Sequence, residues 1–501
     1  MTTTAAAPVS GMLPEGFRVA LDPGARWAGD GTVLVGGAPI RLLRLTPTGR
    51  ALVDRLAAGE PVPASPGAQR LARRLLDAGL AHPRLPAPES PPDGVVVVIP
   101  VHDDADGLAA TLAALAGGPP VVVVDDASAD TGAIRVRVNE VGSTYATTSS
   151  GTRPETVLLH RRSRGGPAAA RNDGWRAAEA PFIAFVDANC EPEPGWLDAL
   201  LPHFADPHVA AVAPRILPPS DTEGGGALDA YEAVASPLDL GARQAAVRPG
   251  SRVPYVPTAA LVVRRTALEE LGGFDEALSV GEDVDFAWRL VAAGWSVRYE
   301  PGVIVRHPIR PGWSSWLKQR YRYGTSAAPL ARRHGWAVAP AVMSPWTAGA
   351  WGLVAVGQPL LGAMTAGYSI AALSRRVPQG EALRLAGLGH LQGGMALTRA
   401  LRRAWAPAAV ALAVADRRSR AVLAAAVVVP TVVDWLQRRP ALDPARFAAL
   451  RLADDLAYAG GVWAGCARER SVRALLPDLR SASRRRVRQT DDPVSTIGGD
   501  L

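Results

Sequence analysis

The chain has 501 residues, of which 48% are hydrophobic and 20% charged, with a formal net charge of +7. This length excludes a peptide or a single small module and predicts roughly two to four domains. The mean hydropathy of +0.07 is high for a soluble enzyme and too low for a transporter with many membrane spans. We therefore expect a soluble body with one apolar part.

Residues 12–85 are predicted to form the first domain. Short apolar stretches separated by glycine turn signals precede two helical patterns, one beginning at Pro47 and one ending at Gly79. This arrangement predicts a small winged-helix-like domain. The proline-rich residues 86–94 predict a stiff linker to the next domain.

Residues 95–335 alternate between short apolar runs and helical patterns. Runs that are apolar on both faces and separated by helices indicate a mostly parallel α/β sheet covered on both sides. In such sheets ligands bind beyond the carboxyl ends of the strands. The Ser/Thr/Gly-rich residues 130–157 are expected to form a loop.

Acidic residues follow two of these runs. VVVVIPVHDD ends in Asp103 and Asp104, and VVVVDDASAD contains Asp125 and Asp126. Because buried charge is costly, carboxylates concentrated at strand ends are more typical of a functional site than of packing. Turn formation and helix capping are the alternatives.

A third run leads into FVDANC, in which Asp187 and Asn189 are two residues apart. At this spacing a carboxylate and an amide oxygen can both face a divalent ion and a diphosphate. Alone, this pattern is a common turn. It becomes informative because it follows the other strand-end acids in order.

In this order the motifs resemble the family 2 glycosyltransferases of the GT-A fold. The resemblance implies a Rossmann-like, mostly parallel α/β transferase domain, a UDP-sugar donor and a divalent metal, Mg²⁺ or Mn²⁺. The matching stretches are IPVHDD (99–104), VVDDASAD (123–130), GGPAAARNDGW (165–175), FVDANC (185–190), GGFDE (272–276) and GEDVDFAWRL (281–290).

The resemblance also implies the residues that contact the nucleotide sugar. Pro100 and Val101 would line the nucleoside pocket, with Asp103 or Asp104 also in contact with it. Asp125 or Asp126 would accept a hydrogen bond from the uracil ring. Arg171 and Asn172 would lie near the nucleotide.

Asp187 and Asn189 stand where the family has a D-x-D pair, so the resemblance implies that both bind the metal and that Asp187 also faces the donor. The family pair usually ends in Asp. A neutral Asn189 weakens the negative field at the metal and leaves the identity of the ion open.

His307 follows a strand-like run and resembles the third metal ligand of some GT-A enzymes. The alternative is that His307 is an ordinary polar residue at the end of a strand.

Glu282 and Asp283 match the family's ED pair, in which the Asp is the usual catalytic base. An inverting transfer needs a carboxylate that takes the proton of the acceptor hydroxyl. The alternative is that Asp283 caps the following helix. QRYRY (319–323) resembles a Q-x-x-R-W element, in which Gln319 and Arg322 would hold the donor diphosphate; an amphipathic helix surface is the alternative.

Residues 336–480 form a markedly apolar region. Residues 337–373 carry no charge and are long enough to cross a bilayer once or to form a re-entrant hairpin. The apolar runs 404–415 and 421–433 are shorter and are expected to be core helices or interfacial segments. Arginines beside these runs favour attachment to the cytoplasmic face of the membrane, with a helical domain packed on the transferase as the alternative. Residues 481–501 are expected to form a basic, disordered tail.

Two observations predict the compartment of the catalytic part. Cys190 and Cys466 lie far apart without C-x-x-C spacing, which argues against a disulfide framework or a structural zinc site. Residues 1–10 lack the basic and apolar regions of a secretory signal. We expect a cytoplasmic enzyme.

The N-terminal domain narrows the expected acceptor. Residues 45–59 and 68–86 resemble the PqqD-type peptide-recognition modules of ribosomal peptide cofactor pathways. Such a module ahead of a family 2 transferase resembles the glycosyltransferases of the mycofactocin system. The resemblance implies transfer of β-linked glucose from a UDP-sugar to mycofactocin or a peptide-derived precursor.

Two alternatives remain at this point. The chain can be a polyprenyl-phosphate or cell-envelope glycan glycosyltransferase, or a peptide-binding scaffold whose transferase fold is inactive. A DNA-binding winged helix is disfavoured because the arginines of the N-terminal domain alternate with acids, so no nucleic-acid partner is expected.

Overall fold

A computed structural model describes residues 12–29, 31–85, 94–144, 156–219, 225–309, 312–375 and 377–479. The predicted linker, except for Gly94, and the predicted tail at 481–501 lie outside the described residues.

The N-terminal unit contains two small sheets and two helices. A side-chain oxygen of Thr46 accepts a hydrogen bond from the Gly49 amide at the start of the first helix, and Gly79, with a φ of 66°, ends the second helix. Both helix boundaries therefore agree with the sequence signals; the winged-helix assignment stays a prediction. The elements are β1 (Arg18–Leu21), β2 (Arg26–Ala28), β3 (Val33–Gly36), β4 (Arg41–Arg44), α1 (Pro47–Ala57), α2 (Pro66–Ala78) and β5 (Ala81–Arg84).

The strands of this unit pair antiparallel in two groups. β1 pairs with β5, and β2, β3 and β4 form a three-stranded meander. Val53, Leu56 and Leu75 are fully buried between the helices and the strands. The unit therefore has a hydrophobic core of its own.

The transferase region is built on one large sheet flanked by helices. Its elements are β6 (Val95–Val101), α3 (Ala105–Ala114), β7 (Val121–Asp125), α4 (Thr131–Thr144), β8 (Thr156–His160), α5 (Pro167–Ala177), β9 (Phe182–Val186), β10 (Glu191–Pro192), α6 (Trp196–Leu200), β11 (Val209–Leu217), α7 (Ala227–Ala235), β12 (Ala245–Ala246), β13 (Ala260–Arg264), α8 (Arg265–Leu271), α9 (Glu282–Ala292), β14 (Ser296–Arg306), α10 (Trp313–Thr325) and α11 (Ala327–His334).

The strands of this sheet follow the order β10-β14-β11-β13-β9-β6-β7-β8, with β12 paired to β14. β6 to β9 are parallel, β11 and β14 are parallel to each other, and β13 is antiparallel to both of its neighbours. Every long strand except β13 therefore runs in one direction. The prediction of a mostly parallel α/β sheet is confirmed.

Both faces of this sheet are covered, which explains the uninterrupted apolar runs. Val97 and Ile99 of β6 pack with Leu108 of α3 on one face. Val98 between them packs with Trp175 near the end of α5 on the other face. Since alternate side chains both enter a core, β6 has no polar face.

The predicted loop over residues 130–157 is wrong in its first half, because residues 131–144 form α4. Asp130 accepts a hydrogen bond from the amide of Ala133 at the start of this helix. Ile134 and Val138, one turn apart, are buried in the core of the sheet. The polar composition of the segment concealed this narrow apolar stripe.

The C-terminal region is helical, as predicted. Its helices are α12 (Pro345–Ala355), α13 (Pro359–Ser374), α14 (Gln379–Arg402), α15 (Ala406–Ala415), α16 (Arg417–Arg438) and α17 (Pro444–Arg468). α17 packs lengthwise against α10 and so joins this region to the transferase sheet.

The uncharged residues 337–373 do not form one long helix. α12 and α13 form a hairpin that turns at Gly357, whose φ is 80°, and at Pro359. Within the described ranges, α16 is the one helix whose length and composition suffice for a membrane span. It extends beyond the apolar run predicted at 421–433 because Asp416 caps it through the amide of Ser419. Membrane attachment stays a prediction.

Candidate active site

Asp103 and Asp104 form the turn after β6. Asp104 caps α3 by accepting a hydrogen bond from the Gly107 amide at 3.0 Å. The amide of Asp103 donates to Ser128 Oγ at 2.9 Å, and its carboxylate accepts from the Ala129 amide at 2.7 Å. These bonds tie the loop after β6 to the loop after β7.

Asp125 is the last residue of β7, Asp126 follows it, and both are almost fully buried. Asp125 accepts a hydrogen bond from the Ser128 amide at 2.9 Å and shares another with His160 at 3.0 Å. Asp126 pairs with Arg161 at 3.0 Å and accepts from the two glycine amides that precede α5. The two carboxylates therefore hold the loops that follow β7 and β8, next to Val101 of β6, which pairs with Asp125; the nucleoside pocket stays a prediction.

Arg171 of α5 is buried and joins two acidic elements. Its guanidinium donates to Asp187 Oδ1 at 2.7 Å and to Glu282 Oε1 at 3.0 Å, and it lies over the ring of Phe274. Since an arginine fork can hold two carboxylates at fixed angles, this side chain sets the distance between the strand-end Asp187 and the first turn of α9.

Asn172, the next residue, holds the loop before α9. Its amide nitrogen donates to the carbonyl of Phe274 at 2.9 Å and to Glu276 at 2.8 Å, and its oxygen accepts from the Phe274 amide and the Trp175 indole. These four bonds use the full capacity of a primary amide. Asn172 therefore lies next to Arg171, and its side-chain amide makes all of its hydrogen bonds within the protein.

Asp283 lies in the first turn of α9. The cap residue of this helix is Gly281, in a left-handed conformation, so the alternative role of Asp283 as N-cap is not observed. Its carboxylate accepts a hydrogen bond from the Val284 amide at 2.8 Å. Burial, together with the charge of Glu282, raises the pKa of Asp283 to about 7. This value is suited to a general base near neutral pH.

Two of the candidate metal ligands, Asp187 and Asn189, lie in the segment between β9 and β10, and the third, His307, directly follows β14. β10 pairs antiparallel with the end of β14, so that Glu191 lies opposite Arg306. This register brings the segment of Asp187 and Asn189 to the same edge as His307. Within the described residues no group of three or more His, Cys, Asp or Glu is gathered for a metal. The side chains of Asp187, Asn189 and His307 offer one carboxylate, one amide oxygen and one imidazole, which are ligand types that suit Mg²⁺ or Mn²⁺.

His307, of the VIVRHP motif, and Gln319, of the QRYRY motif, belong to separate motifs but line the same cavity. The cavity lies between the ends of β11 and β14 and the helices α7 and α10. Gln319 donates to the hydroxyl of Tyr323 at 2.9 Å. Arg322, on the same helix, is exposed to solvent. The structure therefore places α10 beside the candidate metal edge.

Sequence reasoning missed the buried charges behind this cavity. Arg320 is 1% exposed, pairs with Glu232 of α7 and lies 3.3 Å from Asp454 of α17. Tyr231 donates to Asp454 at 3.0 Å, and Trp316 donates to Glu232 at 2.8 Å. Arg320 stands between the two residues that the Q-x-x-R-W pattern selected, but Glu232 and Asp454 follow no motif. Only the packing of α7, α10 and α17 reveals the network.

The comparisons with known proteins agree with this arrangement. The model of the family described as glycosyl transferase family group 2 matches residues 182–437, which is about half of the chain. The pre-mycofactocin glycosyltransferase of Mycobacterium tuberculosis is 42% identical over 488 residues, covering 94% of this chain and 99% of that protein. Glycosyltransferase AglE of Haloferax volcanii is 26% identical, covering 46% of this chain and 71% of that protein.

Solved structures with partial similarity are also glycosyltransferases. A mannosyltransferase of Pyrobaculum calidifontis, in complex with GDP-Man and Mn²⁺, is 20% identical with a TM-score of 0.38, covering 61% of this chain and 83% of its own. Staphylococcus aureus TarS 1-349 with UDP-GlcNAc is 20% identical with a TM-score of 0.34, covering 48% and 66%. The family model and the nearly full-length 42% identity show that this chain is a glycosyltransferase and belongs to glycosyl transferase family group 2.

Proposed function

We propose that the chain transfers glucose from UDP-glucose to pre-mycofactocin in a metal-dependent, inverting reaction that forms a β linkage. One observation supports this choice of acceptor. The 42% identity to a pre-mycofactocin glycosyltransferase extends over 94% of this chain, so it includes the N-terminal unit as well as the transferase.

Asp283 is proposed to act as the general base. An acceptor hydroxyl attacks the anomeric carbon of the donor, the bond from that carbon to the diphosphate oxygen breaks, and the hydroxyl proton passes to the Asp283 carboxylate. A single displacement of this kind inverts the anomeric configuration. A raised pKa makes the carboxylate a stronger base than an exposed Asp.

Asp187, Asn189 and His307 are proposed to hold the divalent metal. When bound there, the metal supplies positive charge that stabilises the departing diphosphate. Arg171 keeps Asp187 and Glu282 at fixed positions during the reaction. Arg322, exposed on α10 near this edge, is proposed to donate to the diphosphate oxygens.

The N-terminal unit is proposed to bind the peptide-derived acceptor. It is docked firmly on the enzyme: Arg73 donates to both carboxylate oxygens of Asp206, and Arg26 pairs with Glu381 of α14. A bound acceptor would therefore be held at a fixed position relative to the transferase. We also propose a cytoplasmic location, supported by two buried, unpaired cysteines.

Purified protein, UDP-glucose and pre-mycofactocin provide the direct test. Mass spectrometry should show hexose added to the acceptor in the presence of Mg²⁺ or Mn²⁺ and no addition with a chelator. Asp283→Asn should lower the rate of product formation by roughly 100-fold or more, whereas Glu140→Gln, on the exposed side of α4, should retain it. Full transfer by Asp283→Asn would refute the base assignment.

A polyprenyl-phosphate acceptor is the second candidate, favoured by the exposed apolar side chains of α13 and α15. The same reaction with a polyprenyl phosphate in place of pre-mycofactocin separates the two. Labelled glucose in the lipid fraction, with none on pre-mycofactocin, would replace the first proposal by the second.

A further inference from the structure

Two apolar hairpins of the C-terminal region leave large side chains exposed. α12 and α13 form the first hairpin, and α15 and α16 form the second. Of the sixteen residues of α13, only Gly362 is buried. We call these side chains the apolar face: Val354 (40% exposed), Val356 (56%), Leu360 (80%), Leu361 (48%), Met364 (69%), Val410 (48%), Leu412 (61%) and Val414 (80%).

The two hairpin turns lie side by side. Arg418, in the first turn of α16, donates to the carbonyl of Val356 between α12 and α13 at 3.4 Å, and its guanidinium is next to Gly357. The exposed residues near one turn are therefore close to those near the other. A contiguous exposed apolar surface of this kind marks a site of interaction.

Exposed positive charge lies beside the apolar face. Arg417, Arg418 and Arg420 are exposed at the turn of the second hairpin. Residues 345–439 contain eleven arginines but only three acids. All three acids are engaged within the protein: one pairs with Arg26, one caps α16 and one pairs with Arg451. Two of the arginines, Arg402 and Arg403, pair with Asp455 of α17. The exposed arginines at the turn of the second hairpin complement an anionic surface.

We propose that the apolar face docks on the surface of a bilayer containing anionic lipids, with the hairpin turns in the interface and the three arginines among the headgroups. Apolar side chains enter the acyl boundary while guanidinium groups meet lipid phosphates, the two attractions that hold interfacial helices. This interaction is independent of the acceptor that the enzyme uses.

The lengths of three of the four helices in the hairpins favour docking over crossing. α13 has 16 residues and spans about 24 Å, less than the ~30 Å of the hydrocarbon core. α12 and α15 are shorter still, with 11 and 10 residues. The apolar middle of α16, residues 421–433, has arginines on both sides. A position parallel to the interface keeps these arginines in contact with water and phosphate.

Sedimentation of the full chain with vesicles tests the proposal. The chain should bind vesicles of phosphatidylcholine with phosphatidylglycerol, and bind pure phosphatidylcholine much less. Replacing Arg417, Arg418 and Arg420 with serine should lower the partition coefficient roughly 100-fold, and high salt should have a similar effect. Leu360→Glu should lower it by about 10-fold or more. Val136→Glu, exposed on α4, is the matched control and should bind like wild type.

A site-specific probe establishes which surface touches the lipid. Because Cys190 and Cys466 are both buried, an environment-sensitive dye can be placed selectively on V414C, with V136C as the control. Blue-shifted emission on anionic vesicles for V414C alone supports the proposal. Equal spectra at the two positions, or binding unaffected by Leu360→Glu, would overturn it. So would a dimer in vesicle-free solution that Leu360→Glu dissociates, because a second copy would then cover this face.

Discussion

The buried Arg171 and the partly exposed Asp187 form an ion pair with a separation of 2.7 Å, which connects α5 to the segment after β9. The same guanidinium reaches Glu282 at the start of α9. The candidate metal-binding acid and the residue next to the candidate base are therefore held by one side chain. Disturbing Arg171 should affect both.

Arg171→Met should destabilise the fold and impair catalysis. Removing one partner of a buried ionic cluster leaves uncompensated charges, which typically costs about 3–5 kcal/mol. Denaturant unfolding measures this loss. Arg176→Met is the matched control, because Arg176 is about half exposed and its nearest carboxylates lie 3.9–4.0 Å away; its change should stay within about 0.5 kcal/mol. Equal stabilities of the two variants would contradict the bridging role.

Asp283→Asn should lower kcat by roughly 10²–10⁴-fold, because the amide cannot accept the proton of the acceptor hydroxyl. Binding of UDP, measured by calorimetry, should change little, since the substitution preserves the shape of the side chain. If kcat stays intact while the affinity for UDP falls, Asp283 is a donor contact and not the base.

The stability of the metal-free protein should depend on pH through Asp283. Its pKa is about 7 in the folded protein and 3.8 in an unperturbed chain, so between these values the folded state binds more protons than the unfolded state. The free energy of unfolding therefore falls as the pH rises from about 4 to about 7, at a slope of up to about 1.4 kcal/mol per pH unit.

Asp283→Asn isolates this contribution, since it carries no titrating group. Unfolding curves in the presence of a chelator should show wild type losing stability relative to Asp283→Asn across this pH range. Parallel pH profiles of the two proteins would mean that the carboxylate is not perturbed.

The sheet and the order of the motifs were predictable from the sequence, because uniformly apolar runs ending in acids are local signals. The bounds of β6 and β9 and the first residues of α1 and α9 lie within one or two residues of the positions that the sequence predicts. The helix α4 was missed because its apolar stripe consists of few residues in a polar segment.

Contacts between remote elements were not predictable in this way. Asn172 matches a family motif, but no local sequence pattern predicts that its side chain holds the loop of Phe274 through hydrogen bonds. Glu232 and Asp454 are 222 positions apart in the chain and meet only at Arg320. Register and helix packing determine such pairs.

Arg320 and Arg322 should differ in their effects although they are on the same helix. Arg320→Met should reduce stability by about 3–5 kcal/mol, because Glu232 and Asp454 would remain buried without their cation. Arg322→Met should leave stability unchanged and raise KM for the donor, because Arg322 is exposed. Lys318→Met is the control for loss of an exposed charge on α10. Loss of stability in Arg322→Met would contradict its assignment to the diphosphate.

Arg73→Ala should loosen the N-terminal unit without unfolding the transferase. Arg73 donates to both oxygens of Asp206, a carboxylate that is 1% exposed in its side chain, at 2.7 and 2.8 Å. Removing this cation should increase amide hydrogen exchange in α2 and β5, while β6 and β9 keep their protection.

Arg70→Ala, an exposed position on the same helix, is the matched control. If the N-terminal unit is needed to present the acceptor, Arg73→Ala should raise KM for the acceptor and leave UDP affinity unchanged. Unaltered exchange in α2 would show that other contacts, such as Arg26 with Glu381, are sufficient to hold the unit.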